Sequence, residues 1–325
     1  MTHSMRPMKK AKKLATTVAG SAAVMASVAA PIAEAGYTET KHPIVMVHGI
    51  TGFDDIGGLV DYFFNVPYNL ERSGATVYVA SVSAFEDSEV RGAQLANQIK
   101  PWANAHHGKV NLIAHSQGAP TSRVALTLEP GKVASITSVN GVNKGSKVAD
   151  VIRGVIPADS TIEGGAGAIA NAFGGVINWL SGADNQQDAV AALDTLTTPG
   201  TDDLNTRHGW GVNTSSYCGA GAETVSVNGN SVKMYSWSGN APLTNVLDLL
   251  DPFLGITSLA FIGQPVLLSD GLVDVCSAKM GKVIGVHYHM NHIDAINHVF
   301  GIRSLFHNPV SQYRSHANRL KNQGL

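Results

Sequence analysis

Charge is scarce in this 325-residue chain. Charged residues make up 14% and aromatics 6%, against 44% hydrophobic residues overall. A composition so apolar excludes a solvated, disordered chain, and the length suits one large α/β core. There is no basic patch beyond the first residues, so nothing invites nucleic acid as a partner. No His-Glu-x-x-His pair is present, which argues against a zinc hydrolase. Only two cysteines occur, Cys218 and Cys276. Past the N-terminal segment, no run is long and apolar enough to span a membrane.

That N-terminal segment has its own character. Arg6, Lys9, Lys10, Lys12 and Lys13 form a basic start, Leu14 to Ala30 is mildly apolar, and Ala33-Glu34-Ala35 is a small-x-small cleavage site. Residues 1–35 therefore read as a secretory signal peptide, with 36–325 as the exported domain. Removing its five basic and one acidic side chains leaves 18 Lys and Arg against 23 Asp and Glu, a formal net charge of −5. In an oxidising compartment the two cysteines imply one disulfide tying the acid-bearing region. It closes a loop of about 58 residues, worth on the order of 4 kcal/mol in the chain-entropy model.

The central motif is an apolar, strand-like run, Val110-Asn111-Leu112-Ile113-Ala114, that ends in His115-Ser116-Gln117-Gly118-Ala119. A helix over Pro120–Leu128 follows at once. Strand, small-residue-flanked serine and helix make the nucleophile elbow of an α/β-hydrolase, in which a tight turn projects the hydroxyl from the end of the sheet. The usual pattern has glycine at the position of Ala114, so this chain departs by one carbon. Upstream, Pro43–Val47 reads as a buried parallel strand running into His48-Gly49-Ile50-Thr51-Gly52, where such enzymes place one oxyanion-hole amide.

Further strands are expected over Thr76–Ser81, Val133–Val139 and Tyr235–Ser238, with helices over Leu59–Ser73 and Ser88–Ala105. This alternation predicts a mostly parallel, doubly wound sheet. Between Val148 and Asn185 the pattern changes. Ile169, Phe173, Val176, Ile177 and Leu180 mark one apolar helical face, with Gly164, Gly165 and Gly167 ahead of it and Gly174 and Gly175 inside it. That stretch is either a core helix or a lid over the site.

A serine hydroxyl needs an imidazole to take its proton and a carboxylate to orient that imidazole. In this fold the order is Ser, acid, His. Histidines at 208, 287, 289, 292, 298, 307 and 316 are available, with Asp248, Asp251, Asp270 and Asp274 as acids. Asp270 is the best acid, because it follows the apolar Gln264–Ser269 run, where a late strand is expected, and precedes Gly271. His292 is the best base. The cluster His287, His289 and His292 also raises zinc, but no further ligands are evident.

Taken together, these stretches resemble the secreted bacterial true lipases of the Pseudomonas and Burkholderia type. The similarity runs through His48–Asp54, Val110–Gly118, Tyr235–Gly239, Pro242–Asn245, Asp270–Val273, Met290–Asp294 and His316–Asn322, in order. It implies an α/β-hydrolase fold with a helical lid within about residues 159–182, a triad of Ser116, Asp270 and His292, and an oxyanion hole from the backbone N–H groups of Ile50 and Gln117. It also implies one structural Ca²⁺ held by the carboxylates of Asp248 and Asp294 and the backbone oxygens of His298 and Ile302, a hard-ion oxygen set. Pairing of Cys218 with Cys276 is implied as well. So are a lipid ester substrate at an oil–water interface, a monomeric enzyme with no organic cofactor, and a dedicated membrane-anchored foldase. Three departures stand out. Ala114 and Ala119 replace glycines, Gly141-Val142-Asn143 replaces a Pro-containing turn, and Ile50 and His298 stand where relatives carry Met and Gln.

The reading is a triacylglycerol lipase acting on long-chain acylglycerols through an acyl-enzyme. Its rivals are a lidless carboxylesterase or polyester depolymerase, and a non-catalytic secreted protein that binds lipid or a partner.

Overall fold

The apolar run Ile44–Val47 forms the first strand, β1, with all four residues buried. The computed structural model describes residues 35–50, 62–155, 165–181 and 192–325. The expected signal segment, apart from Ala35, lies outside the described residues, as do Thr51 to Asp54. Residues 33–325 form one compact unit.

Six further strands join β1: β2 (Val77–Val79), β3 (Val110–His115), β4 (Val133–Val139), β5 (Thr224–Val227), β6 (Asn230–Gly239) and β7 (Lys282–Tyr288). The order runs β2-β1-β3-β4-β6-β5, with β7 also paired to β6. Along the outer edge of β6, β5 covers the first half and β7 the second. Every pairing is parallel except β5 with β6. Sequence patterning missed β5 and β7, both of which have exposed positions that break a continuous apolar run. The β5–β6 hairpin nevertheless carries a local signal. Asn228 and Gly229 take φ 49° and 78°, the left-handed pair that an Asn-Gly turn favours.

Helices cover both faces. Alternating residues of β1 separate the two cores: Ile44 and Met46 face one cluster, Val45 and Val47 the other, as a parallel sheet buried on both sides requires. Helices α2 (Ser88–Ala105) and α3 (Gly118–Leu128) pack on the Val45 side. The Asp87 side chain caps α2, accepting from Glu89 N and Val90 N at 2.8 Å each, the usual remedy for orphan amides at a helix start. On the other face lie α1 (Val66–Glu71), α4 (Lys147–Ile152), α5 (Gly165–Ser181), α7 (Asp251–Thr257) and α8 (Pro309–Asn322), with α6 (Thr198–His208) beside α3 and α4.

Two expectations need correction. Of the helix expected over Leu59–Ser73, positions 59–61 lie outside the described residues, and within the described part it runs only over Val66–Glu71, after Asn65 in a left-handed conformation (φ 58°). The strand expected before Asp270 is not formed. Gln264–Ser269 is irregular apart from a single bridge between Ser269 and Asp274, so two leucines, Leu267 and Leu268, face solvent. Consequently the disulfide between Cys218 and Cys276 joins the loop preceding β5 to the turn just after the acid loop.

Candidate active site

Ser116 sits where β3 ends and α3 begins, with φ 56°. A non-glycine residue in this region is costly, and backbone bonds hold it there, one of them from Val142 N to Ser116 O at 3.3 Å. Ser116 N donates to Val139 O at 3.0 Å, and Ser116 O accepts from Ala119 N at 3.1 Å. The helix then returns so closely over β1 that a Cβ at Gly118 would lie 2.4 Å from the Val47 carbonyl oxygen. Ala114, by contrast, is a fully buried strand residue within the apolar cluster under α2 and α3, where a methyl group fits. Two other departures, Ala119 and Gly141, are complementary, since a Cβ at Gly141 would lie 2.7 Å from the Ala119 Cβ and 2.0 Å from Ser138 Oγ.

Asp270 and His292 come together. Asp270 Oδ2 lies 2.8 Å from His292 Nδ1, and His292 N donates to Asp270 O at 2.9 Å. The other carboxylate oxygen accepts from Leu272 N at 2.9 Å and Val273 N at 2.7 Å. Gly271 takes φ 102° and presses on Leu254, so its position tolerates no side chain. Asp270 is completely buried. With Nδ1 directed at the carboxylate, His292 Nε2 is the nitrogen left for proton transfer.

Ser116 and His292 line one cleft with Ile50, Val142, Phe173 and Leu272 among its apolar walls, leaving about 20 Å³ of open space. Phe173 comes from α5, whose Ile169, Val176 and Ile177 are also buried. The glycines within α5 do not break it. Gly175 instead admits Phe253 of α7, which would lie 2.5 Å from an added Cβ. Positions 159–164 and 182 of the expected lid lie outside the described residues. Gln117, the other expected oxyanion residue, lies between Ser116 and the start of α3 and is fully buried.

The expected calcium ligands lie on neighbouring loops. Asp248 and Asp294 are both buried. Burial pushes their carboxyls up to about 6 and about 7 respectively, with Asp251 adding to the effect at Asp248 and Asp248 at Asp294. Asp294 Oδ1 has no hydrogen-bond partner. A buried, unsatisfied carboxylate oxygen near a second carboxylate is an unfavourable arrangement without a cation. Asn291 organises the group: its Nδ2 donates to Asp251 Oδ1 at 2.8 Å, and its Oδ1 accepts from Ile293 N and Asp294 N. His298 and Ile302 follow Asp294 on the same loop, His298 fully buried. The three clustered histidines have separate surroundings. His292 pairs with Asp270, His289 Nδ1 meets Ser304 Oγ at 2.9 Å, and His287 is exposed. Among the described residues no three His, Cys, Asp or Glu side chains gather as a metal-binding group.

Several polar residues that sequence reasoning missed are buried around the site: Tyr62, Arg91, His115, Asn140 and Asn291. Asn140, at φ 46°, accepts from Gly239 N and donates to Asn291 O, joining the ends of β4 and β6 to the base loop. The positions of Arg91 and Tyr62 in the sequence carry no signal of such a role.

Residues 42–162 match the family model for the alpha/beta hydrolase fold. A triacylglycerol lipase of Vibrio cholerae serotype O1 is 48% identical over 297 residues, covering 90% of this chain and 92% of that protein. A triacylglycerol lipase of Burkholderia plantarii is 36% identical over 360 residues, spanning the full length of both. The crystal structure of Staphylococcus hyicus lipase superimposes with a TM-score of 0.55 at 17% identity, covering 89% of this chain and 98% of that one, which speaks for the fold alone. A serine elbow, a buried Asp–His pair and near-full-length identity to such proteins lead to one assignment: the chain belongs to the bacterial triacylglycerol lipases of the α/β-hydrolase superfamily.

Proposed function

We propose that this protein hydrolyses long-chain acylglycerols through an acyl-enzyme, with Ser116 as nucleophile, His292 as base and Asp270 as its orienting acid. The observation that carries the assignment is the 2.8 Å pair between His292 Nδ1 and Asp270 Oδ2, on an imidazole that shares a cleft with Ser116. His292 Nε2 takes the Ser116 proton as Oγ attacks the ester carbonyl. The backbone N–H groups of Ile50 and Gln117 receive the oxyanion, each worth roughly 3–4 kcal/mol in the transition state. His292 then protonates the departing alcohol, and water repeats the sequence to release the fatty acid. Asp270 stabilises the imidazolium without taking its proton.

Residues 1–35 serve as the export signal, and 36–325 form the catalytic domain. Helix α5 is its lid. In support, Phe173 walls the cleft and a mostly apolar face is buried beneath the helix, a face that would meet lipid on opening. Asp248 and Asp294, with the main-chain oxygens of His298 and Ile302, would hold one Ca²⁺. The orphaned Asp294 Oδ1 supports this, and the ion would fix the loop two residues beyond His292. A monomeric state and folding by a membrane-anchored foldase rest on the family resemblance.

The test is Ser116→Ala assayed on emulsified long-chain triglyceride. Loss of at least about 10⁴-fold in kcat is expected, together with loss of labelling by an organophosphonate. Full retained hydrolysis by the purified variant would overturn the assignment.

A further inference from the structure

A chain of buried hydrogen bonds links the three loops that meet at Ser116. Gly49 N lies 3.1 Å from the Tyr62 hydroxyl, that hydroxyl lies 2.8 Å from His115 Nδ1, and His115 Nε2 lies 3.0 Å from the His292 carbonyl oxygen. The two ends fix the polarity of everything between. An amide only donates and a carbonyl only accepts. The Tyr62 oxygen therefore accepts from Gly49, its proton goes to His115 Nδ1, and the His115 proton sits on Nε2 and points at His292. Both side chains in it, Tyr62 and His115, are buried, and the His115 ring packs on the His292 ring with centroids 4.6 Å apart. Burial, reinforced by His292, keeps His115 well below the ordinary histidine range, so this neutral tautomer persists at working pH.

Every member of the chain except Tyr62 belongs to or adjoins a residue of the proposed reacting groups. Gly49 precedes Ile50, His115 precedes Ser116, and the carbonyl reached at the far end belongs to His292. Space is also tight, since a Cβ on Gly49 would lie 2.9 Å from the Tyr62 hydroxyl and 3.2 Å from Ser116 Oγ. We propose that Tyr62 and His115 are positioning residues which set the oxyanion loop, the nucleophile elbow and the base loop in one mutual register. The proposal rests on the catalytic assignment of Ser116, Asp270 and His292. Neither side chain exchanges a proton with substrate. Their effect is on where Ser116 Oγ, His292 Nε2 and the Ile50 amide stand relative to one another, and small displacements of such groups are costly.

The experiment compares Tyr62→Phe, His115→Leu and His115→Gln with wild type on a dissolved short-chain nitrophenyl ester, with active sites counted by phosphonate titration. Tyr62→Phe removes one hydroxyl, and His115→Leu removes both the acceptor and the donor. Glutamine restores an acceptor and a donor at position 115. Tyr62→Phe and His115→Leu are expected to lower kcat per titrated site by about tenfold or more with KM within about twofold, and to slow phosphonate labelling in proportion. His115→Gln is expected to recover most of the loss. A merely structural role would instead lower the melting temperature and the titratable fraction, leaving kcat per site intact. Wild-type kcat per site in folded Tyr62→Phe overturns the proposal. If Tyr62→Phe does not fold, equal kcat per site in the Leu and Gln variants at 115 overturns it. Ser116→Ala in parallel separates the two levels: activity retained there removes the catalytic assignment itself, whereas a dead Ser116→Ala beside an unaffected Tyr62→Phe removes only the positioning role.

Discussion

Arg91 donates through Nη2 to the carbonyl oxygen of His48 at 2.7 Å, and the same nitrogen reaches the Gly49 carbonyl at 3.0 Å. Its remaining donors meet Ser83 O, Ala84 O and Thr121 Oγ1. The guanidinium is completely buried and, among the described residues, has no carboxylate partner within ion-pair distance. Burial lowers it to about 10, so it stays charged at neutral pH. The Gly49 carbonyl and the Ile50 amide share one peptide plane, so Arg91 orients the proposed oxyanion donor.

Arg91→Lys is therefore expected to damage both stability and rate. A lysine ammonium cannot fan out to five acceptors, and each buried carbonyl left unpaired costs about 1–3 kcal/mol. The variant should melt earlier, and kcat should fall roughly tenfold to a hundredfold as the oxyanion loop shifts. Urea unfolding with steady-state kinetics checks this, and wild-type kcat in a folded variant contradicts it.

The proposed lid predicts interfacial behaviour. Hydrolysis of a short triglyceride should rise sharply only once its solubility limit is passed and droplets form. Gly175→Ala would drive a methyl group into Phe253 and loosen α5 from α7, so it should raise the rate on dissolved ester. A smooth saturation curve through the solubility limit would favour a lidless carboxylesterase.

Calcium should matter chiefly to stability. Chelation to confirmed metal removal is expected to lower the melting temperature, because Asp248 and Asp294 are then left as two buried carboxylates without a cation. Asp248→Asn should abolish that sensitivity. A melting temperature indifferent to metal removal would eliminate the site.

Acid should destabilise the fold through buried histidines. Burial lowers His48 and His316 to about 3 from 6.5. The His316 tautomer is fixed, since Arg319 Nη1 donates to Nδ1 and Nε2 faces Thr137 Oγ1. Between pH 6.5 and 3 the unfolded chain binds protons that the folded chain refuses, so stability falls as pH falls through that window. Each such group contributes at most about 1.4 kcal/mol per pH unit. In excess calcium, which at the proposed site would hold Asp248 and Asp294 ionised, His316→Gln should flatten the slope of unfolding free energy against pH by about that amount per unit. Identical slopes would refute it.

The sequence alone was sufficient for the elbow and the parallel central strands, because each has a local signature: an apolar run, or a tight turn between small residues. For the acid and the base it offered several candidates, which the family resemblance narrowed to Asp270 and His292; their 2.8 Å contact is a tertiary feature. It also carried the Cys218–Cys276 pairing through the compartment expected for the chain. What it did not hold was the buried polar frame. Tyr62, Arg91 and His115 reach the loops around Ser116 through partners 13 to 177 residues away, and no local pattern encodes such contacts. Strand β7 was invisible because its outer positions face solvent. The missing strand before Asp270 shows the converse, for an apolar run became an exposed loop. The tertiary structure decided these points because burial, not residue type, determines whether a histidine or arginine is a solvated surface group or a fixed hydrogen-bonding strut.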